Sequence, residues 1–420
     1  MNQFTASLWG DEGWAATLAV KPAIQIVKIV AKDTSPPFYY LLLHSWMKIF
    51  GTSETAIRSL SFLFFLGTVL TVYLIAKHLW DKKTGLLAAL LTFSNPFLFN
   101  YAFEGRMYSL LVLTSTLSVY FFLKKQKLGF ILATAAALYT HHFSIFIVAW
   151  EIIWALKEKW NFKPFLTIGL LYLPWLYPLY YQTSLVASGF WLGKPTLKTL
   201  IETIGKFLIG SNDKSLWQKI GLGAAAITLA LRRWGEEKKT SIFLIGWFLA
   251  PLILTFLASQ FFQSIFYDRY LLLVIPASAV LIASLRKKLS LLFILTVVAC
   301  LLTINYYYFL NPTKRPFREL ADFIKTQAPH LTLINYNAAA HHLWESKYYG
   351  LQAPIYSPQP LPFYTGTALM EAGDVITKLP DETQIGVITS APLEEVKIPG
   401  YHLFKSQQFG SLSFLWIKKE

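Results

Sequence analysis

The feature that most constrains this chain is a series of apolar runs that recurs from residue 56 to residue 310. A run of about 20 apolar residues matches the hydrocarbon core of a bilayer, and shorter runs are tolerated inside a bundle. The composition agrees, because 55% of the 420 residues are hydrophobic and only 15% are charged. We therefore predict a mainly α protein, a multi-pass transmembrane helical bundle, and not a soluble one.

The apolar runs define ten predicted spans. The fourth and fifth are short and meet at His141-His142, and they are kept because removing one would disturb the alternation of charged loops described next. The predicted spans are 56–79, 86–103, 107–123, 128–141, 143–157, 164–181, 215–233, 240–260, 268–285 and 289–309.

Clusters of lysine and arginine lie on alternate loops between these spans, which predicts that those loops are cytoplasmic. The net charge is +15, and the basic residues occur as short clusters between the apolar runs. It is therefore not the footprint of a nucleic-acid-binding face, and we expect no nucleic-acid partner. The clusters are Lys82-Lys83, Lys124-Lys125 with Lys127, Lys157 with Lys159 and Lys163, Arg232-Arg233 with Lys238-Lys239, and Arg286-Lys287-Lys288.

The opposite, extracytoplasmic side then carries residues 1–55, the turns at 104–106 and 141–142, the loops 182–214 and 261–268, and residues 311–420. We expect three regions: a first loop 1–55, a bundle 56–310 and a C-terminal domain 311–420. The candidate acids all fall on the extracytoplasmic side of the predicted plasma-membrane protein, and they are Asp11, Glu12, Asp33, Glu104 and Asp268.

Three segments outside the spans have an amphipathic pattern, with lysines on one helical face. They are 14–32, 38–50 and 197–209. Such helices lie in the membrane interface and suit a lipid-borne substrate; simple packing against the bundle is the alternative.

Composition changes after residue 311, where the apolar runs shorten to strand length. We predict a small extracytoplasmic α/β domain. Its predicted strands are Thr332–Tyr336, Ile385–Thr389, Tyr401–Lys405 and Ser413–Ile417, and its predicted helices are Pro316–Lys325 and His341–Tyr349.

The adjacent carboxylates Asp11 and Glu12 follow Trp9-Gly10 at the predicted membrane surface. Mutual repulsion and burial against aromatic rings disfavour ionisation, so either acid could serve as a general base. The alternative is an acidic first turn that caps the following helix.

A second group of candidates lies in the predicted outer turns. Glu104 and Arg106 form either a structural ion pair or a site in which the guanidinium holds a phosphate. His141-His142 is a candidate metal or phosphate ligand, and Arg269 beside Asp268 is a second phosphate candidate, with contact to lipid headgroups as its alternative. Tyr108 belongs to the same level of the membrane.

Other classes of chemistry have no signature here. The single cysteine, Cys300, lies in an apolar run, so neither a disulfide framework nor a cysteine metal site is expected. No Walker loop and no dinucleotide-binding glycine pattern is present, so we expect an activated substrate already in the membrane.

Four sequence segments resemble the membrane glycosyltransferases of the GT-C fold, nearest to protein O-mannosyltransferases and the aminoarabinose transferases of lipid A. The likeness covers about residues 1–310 and is most specific in the first 125. The segments are DEGWAA from Asp11, DTSPPFYYLLLH from Asp33, FGTSETAIRSLS from Phe50, and EGRMYSL from Glu104.

The resemblance implies an inverting transfer of one hexose or pentose from a polyprenyl-phosphate donor to a protein, lipid or glycan acceptor. By matching position Asp11 is the expected base and Glu12 its partner at the acceptor site. Arg106, Arg269 and His142 are expected to meet the phosphate charge.

A further set of residues are candidates for binding either substrate or a divalent metal ion, and no other cofactor is expected. That set is Asp33, Glu104, Tyr108, His141 and Asp268. A polysaccharide polymerase or ligase and a transporter of lipid-linked sugars are the alternative functions. The family begins with a span before its Asp-Glu pair, so we expect a further span upstream of Met1 in preference to translocation by the first hairpin.

Overall fold

The computed structural model describes residues 1–210, 238–336 and 339–420, so the predicted span 215–233 lies outside the described residues. The described chain is mostly helical and divides into two compact units. The terminal unit comprises Met1–Asp33, Tyr40–Ile57 and Asn311–Glu420, and the helical unit comprises Thr34–Tyr39 and Arg58–Leu310.

Helices make up most of the described residues before position 311. They are α1 Gly10–Ala19, α2 Ala23–Val30, α3 Phe38–Phe50, α4 Glu54–Leu79, α5 Lys82–Ser94, α6 Pro96–Ala102, α7 Tyr108–Leu123, α8 Lys127–Thr140, α9 Ser144–Lys157, α10 Lys163–Tyr172, α11 Leu176–Ala187, α12 Leu197–Ile209, α13 Lys238–Phe261, α14 Ile275–Ala283 and α15 Leu291–Leu310. Among the described residues, α4, α13 and α15 are long and apolar enough to cross a membrane.

Three predicted spans are interrupted. The segment 86–103 breaks into α5 and α6 at Asn95-Pro96, where the Asn95 side chain accepts a hydrogen bond from the Leu98 N–H at 3.0 Å. The segment 164–181 passes through a 3-10 turn at Leu173–Trp175, which contains Pro174. The segment 268–285 begins as two 3-10 turns before Pro276. Proline lacks the N–H that donates within a helix and therefore favours such breaks, which the hydropathy pattern does not register, although α13 continues through Pro251.

The amphipathic segments have two outcomes. The predicted helix 14–32 is wrong as a single element, because it is divided at Pro22 into α1 and α2. The predictions 38–50 and 197–209 are confirmed as α3 and α12. In α12 the Thr196 side chain caps the first turn, and Gly210 ends the helix with a left-handed φ of 79°, a conformation that favours glycine.

The terminal unit contains a six-stranded sheet of order β3-β2-β1-β4-β6-β5. Strands β1 to β4 pair in parallel, and β6 pairs antiparallel with β4 and β5. The four predicted strands are confirmed, while β2 and β3 have two residues each and were not predicted. The strands are β1 Thr332–Asn335, β2 Ile355–Tyr356, β3 Val375–Ile376, β4 Gln384–Thr389, β5 Tyr401–Phe409 and β6 Leu412–Lys419.

Two helices accompany this sheet, α16 Phe317–Gln327 and α17 Ala339–Tyr348, close to their predicted bounds. The helix α16 buries Phe317, Leu320 and Ile324 in a cluster with Phe414 and Trp416 of β6. Burial of this apolar face stabilises the α/β part of the unit. The helix α17 packs against α1, which places the two predicted acids in contact with the C-terminal part of the chain.

Candidate functional site

The acid pair lies in the first turn of α1, and its two carboxylates have different surroundings. Glu12 is fully buried, and its Oε2 lies 2.9 Å from the Nζ of Lys314. The same oxygen accepts a bond from the N–H of Trp9 at 3.4 Å. The Asp11 side chain is 23% exposed, with His341 Nδ1 4.0 Å from its Oδ1. Asp11 is therefore the acid of the pair that solvent can reach.

Two glycines bring α1 against α17 at backbone distance. A Cβ at Gly10 would lie 2.4 Å from the Cβ of His341, and a Cβ at Gly13 would lie 2.8 Å from the carbonyl oxygen of Trp344. Side-chain atoms do not approach this closely, so only glycine permits the contact. The acids at positions 11 and 12 lie between these glycines, and their position consequently depends on α17.

The residues before α1 are also bonded to the C-terminal part of the terminal unit. The N–H of Leu8 donates to the hydroxyl of Tyr349 at 2.9 Å, and that hydroxyl donates to Glu54 at 2.9 Å. The Ser7 hydroxyl donates to Glu319 at 3.2 Å. Burial, and then the charge of Glu54, raise the pKa of Tyr349, so its phenol keeps the proton that it donates.

A cluster of ionisable side chains, Arg315, His342 and Glu345, lies beside the acid pair, and the sequence did not predict it. Arg315 Nη1 donates to His342 Nε2 at 3.0 Å. Burial, with the charges of Arg315 and His341, lowers the pKa of His342 to about 3. His342 is therefore neutral, and because an arginine only donates, its proton is on Nδ1. Glu345, one turn later, is 1% exposed.

The helical unit holds a cluster of rings around one guanidinium, which we call the aromatic-arginine cluster: Tyr108, His141, Tyr267, Arg269 and Tyr270. The Cζ of Arg269 lies 4.9 Å from the ring centre of Tyr267 and 5.5 Å from that of Tyr108. The rings of His141 and Tyr270 are 5.0 Å apart. Three of the predicted site residues, Tyr108, His141 and Arg269, are thus brought together.

Asp268 forms an ion pair with Lys206 of α12, and both side chains are largely buried. Its Oδ1 also accepts the N–H of Arg269 at 2.7 Å. The carboxylate therefore fixes the start of the 3-10 turn that presents Arg269. Lys206 appeared in the sequence only as part of an amphipathic stripe.

The two adjacent histidines have different partners. His141 Nδ1 accepts the N–H of Phe143 at 3.1 Å, and the side chain is buried. His142 Nε2 lies 2.7 Å from the side-chain oxygen of Gln182, and its Nδ1 lies 3.2 Å from the hydroxyl of Tyr172. Both nitrogens of His142 are therefore engaged by protein groups.

The other predicted residues lie in turns. Glu104 and Arg106 lie between α6 and α7, where the carbonyl of Glu104 accepts the N–H of Arg106 at 2.7 Å. Asp33 follows α2 in the terminal unit and is half-buried. Within residues 1–210, 238–336 and 339–420, no three His, Cys, Asp or Glu residues lie in a group that could hold a metal ion.

The fold is similar to that of solved glycosyltransferases of the GT-C fold, and the resemblance indicated by the sequence is confirmed. The family model described as dolichyl-phosphate-mannose-protein mannosyltransferase matches residues 34–181. No curated protein sequence matches the chain at a significant level.

Solved structures match over nearly the whole chain. ArnT from Cupriavidus metallidurans bound to undecaprenyl phosphate matches with a TM-score of 0.67 and 14% identity, over 98% of this chain and 94% of ArnT. Its apo state matches with a TM-score of 0.68 and 13% identity. The oligosaccharyltransferase AglB from Archaeoglobus fulgidus, in complex with an inhibitory peptide and a dolichol-phosphate, matches at 0.51 and 13% identity, over 92% of this chain and 66% of AglB. At these identities the similarity establishes the fold.

Proposed function

We propose that the protein is a multi-pass membrane glycosyltransferase that moves one sugar from a polyprenyl-phosphate donor to an acceptor on the extracytoplasmic face. The observation that carries the proposal is the match to the ArnT fold over 98% of the chain. The acid pair in the first turn of α1 adds the chemistry that such a transfer requires. The acceptor class is a protein, a lipid or a glycan.

Asp11 is the proposed general base. Its carboxylate takes the proton of the acceptor hydroxyl or amine as the acceptor atom attacks the anomeric carbon, and the bond from that carbon to the phosphate oxygen breaks. Polyprenyl phosphate leaves with the bonding electrons, so one displacement inverts the anomeric centre. The partial exposure of the Asp11 side chain supports this assignment, because an acceptor group can reach its carboxylate.

Glu12 is proposed to position Asp11 and so to shape the acceptor site. Its carboxylate is engaged by Lys314 and by the N–H of Trp9, and burial leaves it no access to solvent. These contacts fix the first turn of α1 and suit a supporting role more than a proton transfer.

Arg269 is the proposed primary ligand of the donor phosphate. Its guanidinium lies over three tyrosine rings, which hold a planar group in one orientation, and a guanidinium binds phosphate through two parallel hydrogen bonds. The crystal structure of ArnT is bound to undecaprenyl phosphate and the structure of AglB is a complex with a dolichol-phosphate, which supports a donor of this class. Arg106 is proposed as a further contact to the phosphate. His142 is proposed as another, and its bond to Gln182 or to Tyr172 would then be exchanged for one to the phosphate.

Transfer is tested with the purified full-length protein in proteoliposomes, using radiolabelled polyprenyl-phosphate hexoses and pentoses with lipid, glycan and peptide acceptors. We expect one donor to give labelled product, and the same sugars linked to nucleotides to give none. A parallel sample with a chelator tests dependence on a divalent metal ion. Folded protein that turns over none of the polyprenyl-phosphate donors would contradict the proposal and favour a polymerase or a transporter.

Arg269→Gln should lower kcat/KM for the donor by about 10–100-fold, because a charge-assisted bond to phosphate contributes roughly 1.5–3 kcal/mol. Arg269→Lys keeps the charge but loses the paired geometry, so it should retain part of the activity. Initial rates over a series of donor concentrations measure the effect. Arg286→Gln, which removes an arginine paired with Asp81 in the same unit, is the control. Donor kinetics equal to wild type in Arg269→Gln would exclude Arg269 as the phosphate ligand.

A further inference from the structure

The carboxyl group of Glu345, in the terminal unit, is buried away from both solvent and any hydrogen-bond partner in the described part of the chain. It is 1% exposed, and neither of its oxygens has a hydrogen-bond partner among the described residues. It belongs to α17, which contacts α1 at Gly10 and Gly13. A carboxylate without partners is costly to bury, whereas a neutral carboxylic acid is tolerated.

The charged groups facing Glu345 come from several elements. Glu12 of α1 contributes a negative charge, and Arg315, just before α16, contributes a positive one. His342 of its own helix is neutral and bonded to Arg315, while Lys314 is paired with Glu12. The strands β1, β2 and β4 also pack against α17 and carry only Tyr356 as a titratable residue. Burial raises the pKa of Glu345 to about 8, with Arg315 opposing the rise and Glu12 adding to it.

We propose that Glu345 is a positioning residue for the acid pair, holding α1 against α17 when neutral and releasing its first turn when ionised. The link to catalysis rests on the proposed function, in which Asp11 of that turn is the base. Ionisation places a second carboxylate near Glu12, which competes with Glu12 for its cationic neighbours and draws water into the contact between the helices. Asp11 then loses its fixed position.

The proposal predicts an alkaline limb in the pH profile of transfer. Glu345 is neutral below about pH 8 and ionised above it, so the rate should fall about tenfold by one pH unit above that value. Glu345→Gln keeps the shape of the neutral side chain and cannot ionise, so the limb should disappear while the rate at pH 7 stays near that of wild type. Glu382→Gln, at an exposed position, should keep the limb.

Stability should change over the same pH range. The pKa of Glu345 in the folded protein, about 8, is above its ordinary value of 4.5. Between these values the folded protein holds a proton that the unfolded chain has lost, so stability falls as pH rises through this window. Glu345→Gln lacks this fall. The difference between its thermal unfolding midpoint and that of wild type should therefore grow in favour of the variant as pH increases from about 5 to about 9. Parallel midpoints in the two proteins would contradict the proposal.

The deciding experiment is hydrogen–deuterium exchange of the α1 peptide, which does not depend on transfer. Wild type, Glu345→Gln and Glu382→Gln are compared at one pH near neutrality and at one well above 8. At each pH the intrinsic amide exchange rate is the same for all three proteins, so it cancels from the comparison. We expect α1 to exchange faster in wild type and in Glu382→Gln than in Glu345→Gln at the higher pH only. Equal exchange in all three proteins would overturn the proposal. Loosening that depends on Glu345 in a protein that transfers no sugar would overturn the proposed function and leave the positioning role standing.

Discussion

Replacing Asp11 with Asn should lower the rate of sugar transfer by about 10²–10⁴-fold, the usual contribution of a positioned general base. The amide has nearly the shape of the carboxylate but cannot take the acceptor proton. Donor binding should be almost unchanged, because the phosphate contacts that we propose belong to other residues. The comparison requires the initial rate of labelled sugar transfer and the stabilisation of the protein by polyprenyl phosphate, both measured on folded protein.

The matched control for this change is Asp322→Asn, at an exposed position of α16. It alters charge by the same amount in the terminal unit and should transfer at the rate of wild type. If Asp11→Asn transferred as fast as Asp322→Asn, Asp11 would not be the base. If it lost donor binding together with transfer, its role would lie in binding.

The second large effect is expected from Lys314→Met. This change leaves Glu12 buried without its cation, and removing one partner of a buried ion pair typically costs about 3–5 kcal/mol. We expect a clearly lower thermal unfolding midpoint in detergent and loss of transfer, because the first turn of α1 depends on this pair. The measurement is the unfolding midpoint, followed by the transfer rate below it.

Two further variants separate loss of the pair from general damage. Glu12→Gln combined with Lys314→Met removes both charges and should recover much of the lost stability. Lys21→Met breaks a pair with the exposed Glu371 in the same unit, and such pairs contribute only about 0–1 kcal/mol. Lys314→Met as stable as Lys21→Met would show that the buried pair does not hold the turn.

Local patterns predicted the elements that local forces determine. The helices α3 and α12 have the predicted bounds, because each has an amphipathic stripe and a clear chemical stop, Gly51 and Gly210. The four longer strands were found from their apolar runs. The break at Pro22 also has a signal in the sequence, the proline itself, but Lys21, Lys28 and Lys32 share one helical face across 14–32 and so predicted a single helix.

Contacts between distant segments could not be predicted from one sequence. Glu12 and Lys314 are separated by 302 residues, and nothing local indicates that they pair. The group of Arg315, His342 and Glu345 left only a weak signal, an adjacent pair of histidines like the His141-His142 pair that was noticed. The two-residue strands β2 and β3 are fixed by their neighbours in the sheet and have no pattern of their own.

The most direct test of the central claim, one displacement of polyprenyl phosphate assisted by Asp11, is the anomeric configuration of the first product. A donor of known configuration is turned over by the wild-type protein, and the anomeric proton of the product is examined by NMR before equilibration. A single displacement predicts inversion relative to the donor. Retention would require a covalent or second displacement step and would contradict the account.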